Sequence, residues 1–150
     1  MDDFAMFEDV QRKLTTAGGQ AVWHSKHARI REEGLTAKLM TSWTLLGYGH
    51  EHVMELNMSH NKRLDVLIYD SVPVEAKKAG NISTLKASLE KLRMFSHVVV
   101  VVYASEVDDL DQVMSEARRQ ISEEILARTN TPGCTELTCQ ALLLYMSNFV

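Results

Sequence analysis

The chain is poor in the residues that staple, break or bend a backbone: two cysteines, two prolines and seven glycines in 150 positions. Cys134 and Cys139 form a C-x4-C pair with no second ligand pair near it, which argues against a zinc module. A chain of this size with an ordinary core needs no disulfide, so the two read as plain thiols of a reducing compartment. So little glycine and proline excludes fibrous and low-complexity chains. No apolar run approaches the ~20 residues that cross a bilayer. Met1-Asp2-Asp3-Phe4 lacks the basic and apolar regions of a secretory signal. The expectation is a cytoplasmic protein without membrane contact. A positive balance is missing too: the formal charge is −4. That disfavours bulk packaging of nucleic acid but leaves room for an enzyme with a local basic patch. Neither a Gly-x4-Gly-Lys phosphate loop nor a Gly-x-Ser-x-Gly elbow occurs.

What is present suits one globular domain over residues 1–150, 45% apolar and 24% charged, without repeats or linkers. Phe4, Phe7, Val10 and Leu14 recur at helical spacing and Gly18-Gly19 ends that run. Gln20–Arg31 carries no clear period. A second helix is expected from about Ile30 to Leu46, with a stripe of Leu35, Leu39, Trp43 and Leu46, closed by Gly47. After Gly49 the period falls to two. Glu51–Met58 reads as a strand, Ser59–Lys62 as a turn, and Arg63–Tyr69 and Pro73–Lys78 as a hairpin around Asp70-Ser71-Val72. Gly80-Asn81 opens a helix carrying Ile82, Leu85, Leu89, Leu92 and Phe95. Val98–Tyr103 is a β-branched run of the kind buried on both faces. Asp108 or Asp109 can cap a helix to about Arg128 with Leu110, Val113, Ala117, Ile121 and Ile125 inward, stopped by Thr131-Pro132-Gly133. Residues 105–150 are expected to form a C-terminal helical extension, within which Leu137–Val150 fits helix or strand. The expected class is α/β, a mixed central sheet flanked by helices.

Along the hairpin, Leu64, Val66, Ile68, Val74 and Ala76 should form one apolar face, because side chains alternate along a strand. Asp65, Glu75 and Lys77 then fall together on the other face, provided that the loop has odd length. Two carboxylates suit Mg²⁺, which takes hard oxygen ligands and keeps water and phosphate in its remaining positions. A lysine two residues on can orient an attacking water or offset negative charge.

Asp65, nine intervening residues, then Glu75-Ala76-Lys77, with apolar strands on either side, resembles the core of the PD-(D/E)xK nuclease superfamily. That resemblance covers about residues 30–104 and implies an αβββαβ, restriction-endonuclease-like core. Position 64 is Leu where the family often has Pro. It further implies Mg²⁺-dependent hydrolysis of phosphodiester bonds, with Mn²⁺ able to substitute. Asp65, Glu75 and the Ala76 carbonyl would hold the ion and Lys77 would position the nucleophilic water. The family often adds a glutamate. Glu32, Glu33 and Glu55 are the candidates, and Glu32 is favoured because helical periodicity puts it amid the Leu35–Leu46 stripe. The expected activity is that of a DNA endonuclease working as a homodimer, with Leu142–Val150 as a plausible interface. The alternative is a non-catalytic nucleic-acid-binding or assembly protein of the same fold.

Residues 76–93 carry Lys77, Lys78, Lys86, Lys91 and Arg93 against Glu90 alone, whereas residues 105–130 are strongly acidic. A basic footprint is therefore expected beside the hairpin. The six histidines form no set of three ligands by spacing, although His27 or His60 could serve as a base or phosphate donor.

Overall fold

Asp2 opens the first helix by accepting the Ala5 N–H at 2.7 Å, and α1 runs Asp3–Gln20. The computed structural model describes residues 2–23, 29–49, 52–57 and 63–146, and for 53, 55 and 57 it describes the backbone alone. Helix α2 spans Glu32–Leu45, two residues later than the sequence suggests. Three strands follow: β1 (His52–Asn57), β2 (Arg63–Ile68) and β3 (Val72–Lys78). A 3₁₀ turn, Ala79–Thr84, leads into the short α3 (Leu85–Glu90), then β4 (His97–Ser105), α4 (Leu110–Thr129) and β5 (Thr138–Met146). The expected turn at Ser59–Lys62 lies outside the described residues.

The sheet has five strands in the order β1-β2-β3-β4-β5. The β1–β2 and β2–β3 pairs are antiparallel, while β3–β4 and β4–β5 are parallel. The mixed α/β class expected from the sequence is therefore the class observed. β4 is its axis: Val98 to Val102 are fully buried, each such side chain stabilising by about 1.5–3 kcal/mol relative to exposure. One face packs on α1 and α2 through Phe7, Val10, Leu14, Leu35, Leu39 and Trp43. The other packs on α3 and α4 through Leu85, Leu89, Met114, Ala117 and Ile121.

Three expectations need correction. Residues 105–150 are not a helical extension: α4 is followed by β5, which pairs along all of β4 from His97↔Thr138 to Ser105↔Met146. The free edge of a buried parallel strand decided what local pattern left open. The α4 stripe is also displaced. Met114, Ala117, Gln120, Ile121, Glu124 and Arg128 are buried, and Ile125 is exposed. Arg128 replaces an apolar side chain because its donors are all used. Nε binds Glu124, Nη1 the carbonyls of Phe95 and, at 3.5 Å, Thr135, and Nη2 the carbonyls of Leu89 and Leu92. Finally, the hairpin loop is Tyr69-Asp70-Ser71, with Ile68 opposite Val72. Its three residues keep the odd parity on which the placement of the acids depended.

Candidate metal and catalytic site

Pro73 sits in a central strand but before its ladder to β4 begins at Val74↔Val99, so its missing N–H leaves no gap there. From Val74 to Lys78, β3 is held in parallel by β4. On its other side the pairs to β2 run from Ile68↔Val72 to Val66↔Val74. Beyond them β1 and β2 stay in register with each other, through Met54↔Val66 and Leu56↔Leu64, without further pairing to β3. Leu64 accordingly packs into the α3–α4 cluster while Val66 packs against α1 and α2. The single apolar face expected from Leu64 to Ile68 is thus broken at Asp65.

The opened edge of β3 exposes two amides of the same parity, Ala76 and Lys78, and each meets a carboxylate. Asp65 Oδ2 accepts from Ala76 N at 2.8 Å. Glu32 Oε1 accepts from Lys78 N at 2.8 Å and from Asn81 Nδ2 at 3.0 Å. Glu75 pairs in register with Val100 and is buried, with Lys77 Nζ 3.9 Å from its Oε1.

These groups act on one another. Burial lifts the Asp65 carboxyl above its usual range; the Ala76 N–H and Lys77 oppose this, and Glu32 and Glu33 reinforce it. Burial pushes Glu75 up to about 8, with the Asp65 charge adding to the effect while Lys77 and the Ser88 hydroxyl work against it. Behind them, Tyr103 is buried, its hydroxyl 2.9 Å from Thr36 Oγ1. Burial raises its pKa, with Asp65 and Glu32 adding to the rise. A cleft of about 300 Å³ adjoins the cluster, lined by Arg29, Arg31, Glu32, Glu33, Lys78 and Asn81.

The structure therefore brings Asp65, Glu75 and Lys77 into one electrostatic cluster, with Ala76 between them on the strand. Glu32 borders that cluster but spends its Oε1 on the end of β3. Glu33 is exposed in the first turn of α2. The side chain of Glu55, like His27 and His60, lies outside the described residues. Among the described residues, no three His, Cys, Asp or Glu side chains converge closely enough to hold a metal ion by themselves. The basic footprint loses Arg93, whose guanidinium forms a two-bond pair with buried Glu124 at 2.9 and 2.8 Å. Ser88 and Asn81 were not found from sequence: single polar residues on short helical turns carry no spacing signal.

No protein-family model, curated protein or solved structure matches the chain.

Proposed function

We propose that the protein is a metal-dependent nuclease of the PD-(D/E)xK kind, a DNA endonuclease that hydrolyses phosphodiester bonds. The observation that carries this reading is the meeting of Asp65, Glu75 and Lys77 at the point where β2 leaves β3. A half-buried and a buried carboxylate within Coulombic reach of each other, Asp65 and Glu75, disfavour their joint ionisation near neutral pH even with the Lys77 ammonium nearby. A hard divalent cation removes that conflict. The donors suit Mg²⁺ or Mn²⁺: the carboxylates of Asp65 and Glu75 and the Ala76 carbonyl, with the other positions left to water and substrate phosphate.

Such an ion supplies polarisation of the phosphate and neutralisation of charge on the departing oxygen. The chain's own residues do the rest. Asp65 is fixed by the Ala76 amide, so its second oxygen has a set direction. Glu75 is held between Lys77 and the Ser88 hydroxyl. Lys77 stands beside both acids, where its ammonium can hold an attacking water and offset the charge gathering on the phosphate oxygens. Lys78, Arg29 and Arg31 line the adjoining cleft, where a flanking phosphate can bind. A cut through both strands needs two such centres, and a homodimer supplies them.

The test is a panel of linear, nicked, branched and single-stranded DNA and RNA, incubated with Mg²⁺, with Mn²⁺ and with chelator. Metal-dependent cleavage of DNA supports the reading. Tight binding without cleavage under every condition would favour the non-catalytic alternative.

A further inference from the structure

The N–H groups of Ala76 and Lys78 point the same way, two residues apart along β3, and the β2 ladder has already ended when they are reached. β2 offers these two donors no acceptor on the opened edge of β3, where an unmet amide would be costly. Asp65 answers the first and Glu32 the second, so two carboxylates stand in for the missing strand. Consecutive donors on one edge lie about 6.4–6.8 Å apart, which spaces the two acids along β3, with Lys77 between the two donating residues in the chain.

One oxygen of Glu32 already holds the end of β3. Its Oε1 takes both the Lys78 amide and the Asn81 side chain. Arg31 caps α2 without a side-chain bond, and Glu32 ties the first residue of the helix to the end of β3. It grips the peptide immediately after Lys77 and the 3₁₀ turn that follows. We infer that Glu32 is a positioning residue, clamping the end of β3 so that Lys77 leaves the strand in a fixed direction, and that it is not a metal ligand. The catalytic consequence rests on the nuclease reading; the clamp itself does not.

Glu32→Gln and Glu32→Ala separate the two roles, because glutamine keeps the accepting oxygen but not the charge. Three quantities are read: exchange protection of the Lys78 amide by NMR, Mn²⁺ affinity by calorimetry, and steady-state cleavage. Glu32→Ala is expected to lower Lys78 protection at least ~10-fold and to reduce kcat by a similar factor, with KM and Mn²⁺ affinity changed less than about 3-fold. Glu32→Gln is expected to restore protection and kcat to within about 3-fold of the parent. If Glu32→Gln weakens Mn²⁺ binding as much as Asp65→Ala does, Glu32 is a ligand and the inference falls. Unchanged Lys78 protection in Glu32→Ala would overturn it as well. Should the parent cleave no nucleic acid, the nuclease reading alone is lost, since amide exchange still decides the clamp.

Discussion

Glu75 is the residue whose environment has the clearest thermodynamic consequence. An unfolded chain releases this proton near 4.5, whereas the folded protein keeps it to about 8. Between those values the folded state binds more protons, so stability falls as pH rises. The metal-free protein should therefore lose Tm steadily between about pH 5 and pH 8, and Glu75→Gln should flatten that slope. An unaltered slope would show that Glu75 is not the group responsible. Glu124 behaves in the opposite way. Burial works to raise its carboxyl, but Arg93 and Arg128 hold it below the usual value, so its contribution is present at neutral pH and fades on acidification through the folded pKa. Removing one partner leaves a buried charge short of compensation. Arg128→Ala should cost about 3–5 kcal/mol, or roughly 10 °C in Tm for a chain of this size, measured by calorimetry at neutral pH. At this scale the sequence was legible where chemistry imposes spacing, as at Asp65, Glu75 and Lys77. It was silent where polar groups satisfy one another across elements, as for Gln120, Glu124 and Arg128, because a helical stripe search takes only apolar residues as inward.

The hairpin shows how an element can be read correctly by parity and incorrectly in detail. Tyr69 and Asp70 both have positive φ, 55° and 57°, a conformation that tight turns usually assign to Asn or Gly. Nothing in Tyr-Asp announces it. The turn is held from outside: the Tyr69 hydroxyl accepts from Lys13 Nζ at 2.7 Å and donates to Asp9 at 3.2 Å. Lys13 Nζ also lies 5.3–5.9 Å from the rings of Trp43, Tyr48 and Tyr69. Lys13→Met should then destabilise the protein by about 1–3 kcal/mol in denaturant titration, with kcat unchanged, since the contact anchors the loop end of the hairpin. A fall in kcat without a fall in stability would contradict that role. β5 was undecidable for a related reason: Leu142, Leu143 and Leu144 carry no period, and only the open edge of β4 makes them a strand.

For the whole molecule, the switch from helical to two-residue periodicity and the valine run of β4 were enough to give the α/β class. The early end of the β2–β3 ladder at Val66↔Val74, which leaves the Ala76 and Lys78 amides to two carboxylates, has no local signature. Among the described residues no strand pairs with the outer side of β5, and Phe4 and Tyr145 are exposed near that side. A homodimer joined there should sediment at twice the monomer mass, and Tyr145→Lys, at an exposed position of β5, should return it to monomer without loss of secondary structure. A monomer at every concentration would remove that assembly. The division of labour at the site is open to one measurement: cleavage of supercoiled plasmid in Mg²⁺ or Mn²⁺ by the parent, Asp65→Ala and Lys77→Ala, read alongside Mn²⁺ affinity. The parent should cleave only with metal, Asp65→Ala should lose both cleavage and metal affinity, and Lys77→Ala should lose cleavage alone. Cleavage by Lys77→Ala at the parental rate, or Mn²⁺ binding indifferent to Asp65, would contradict it.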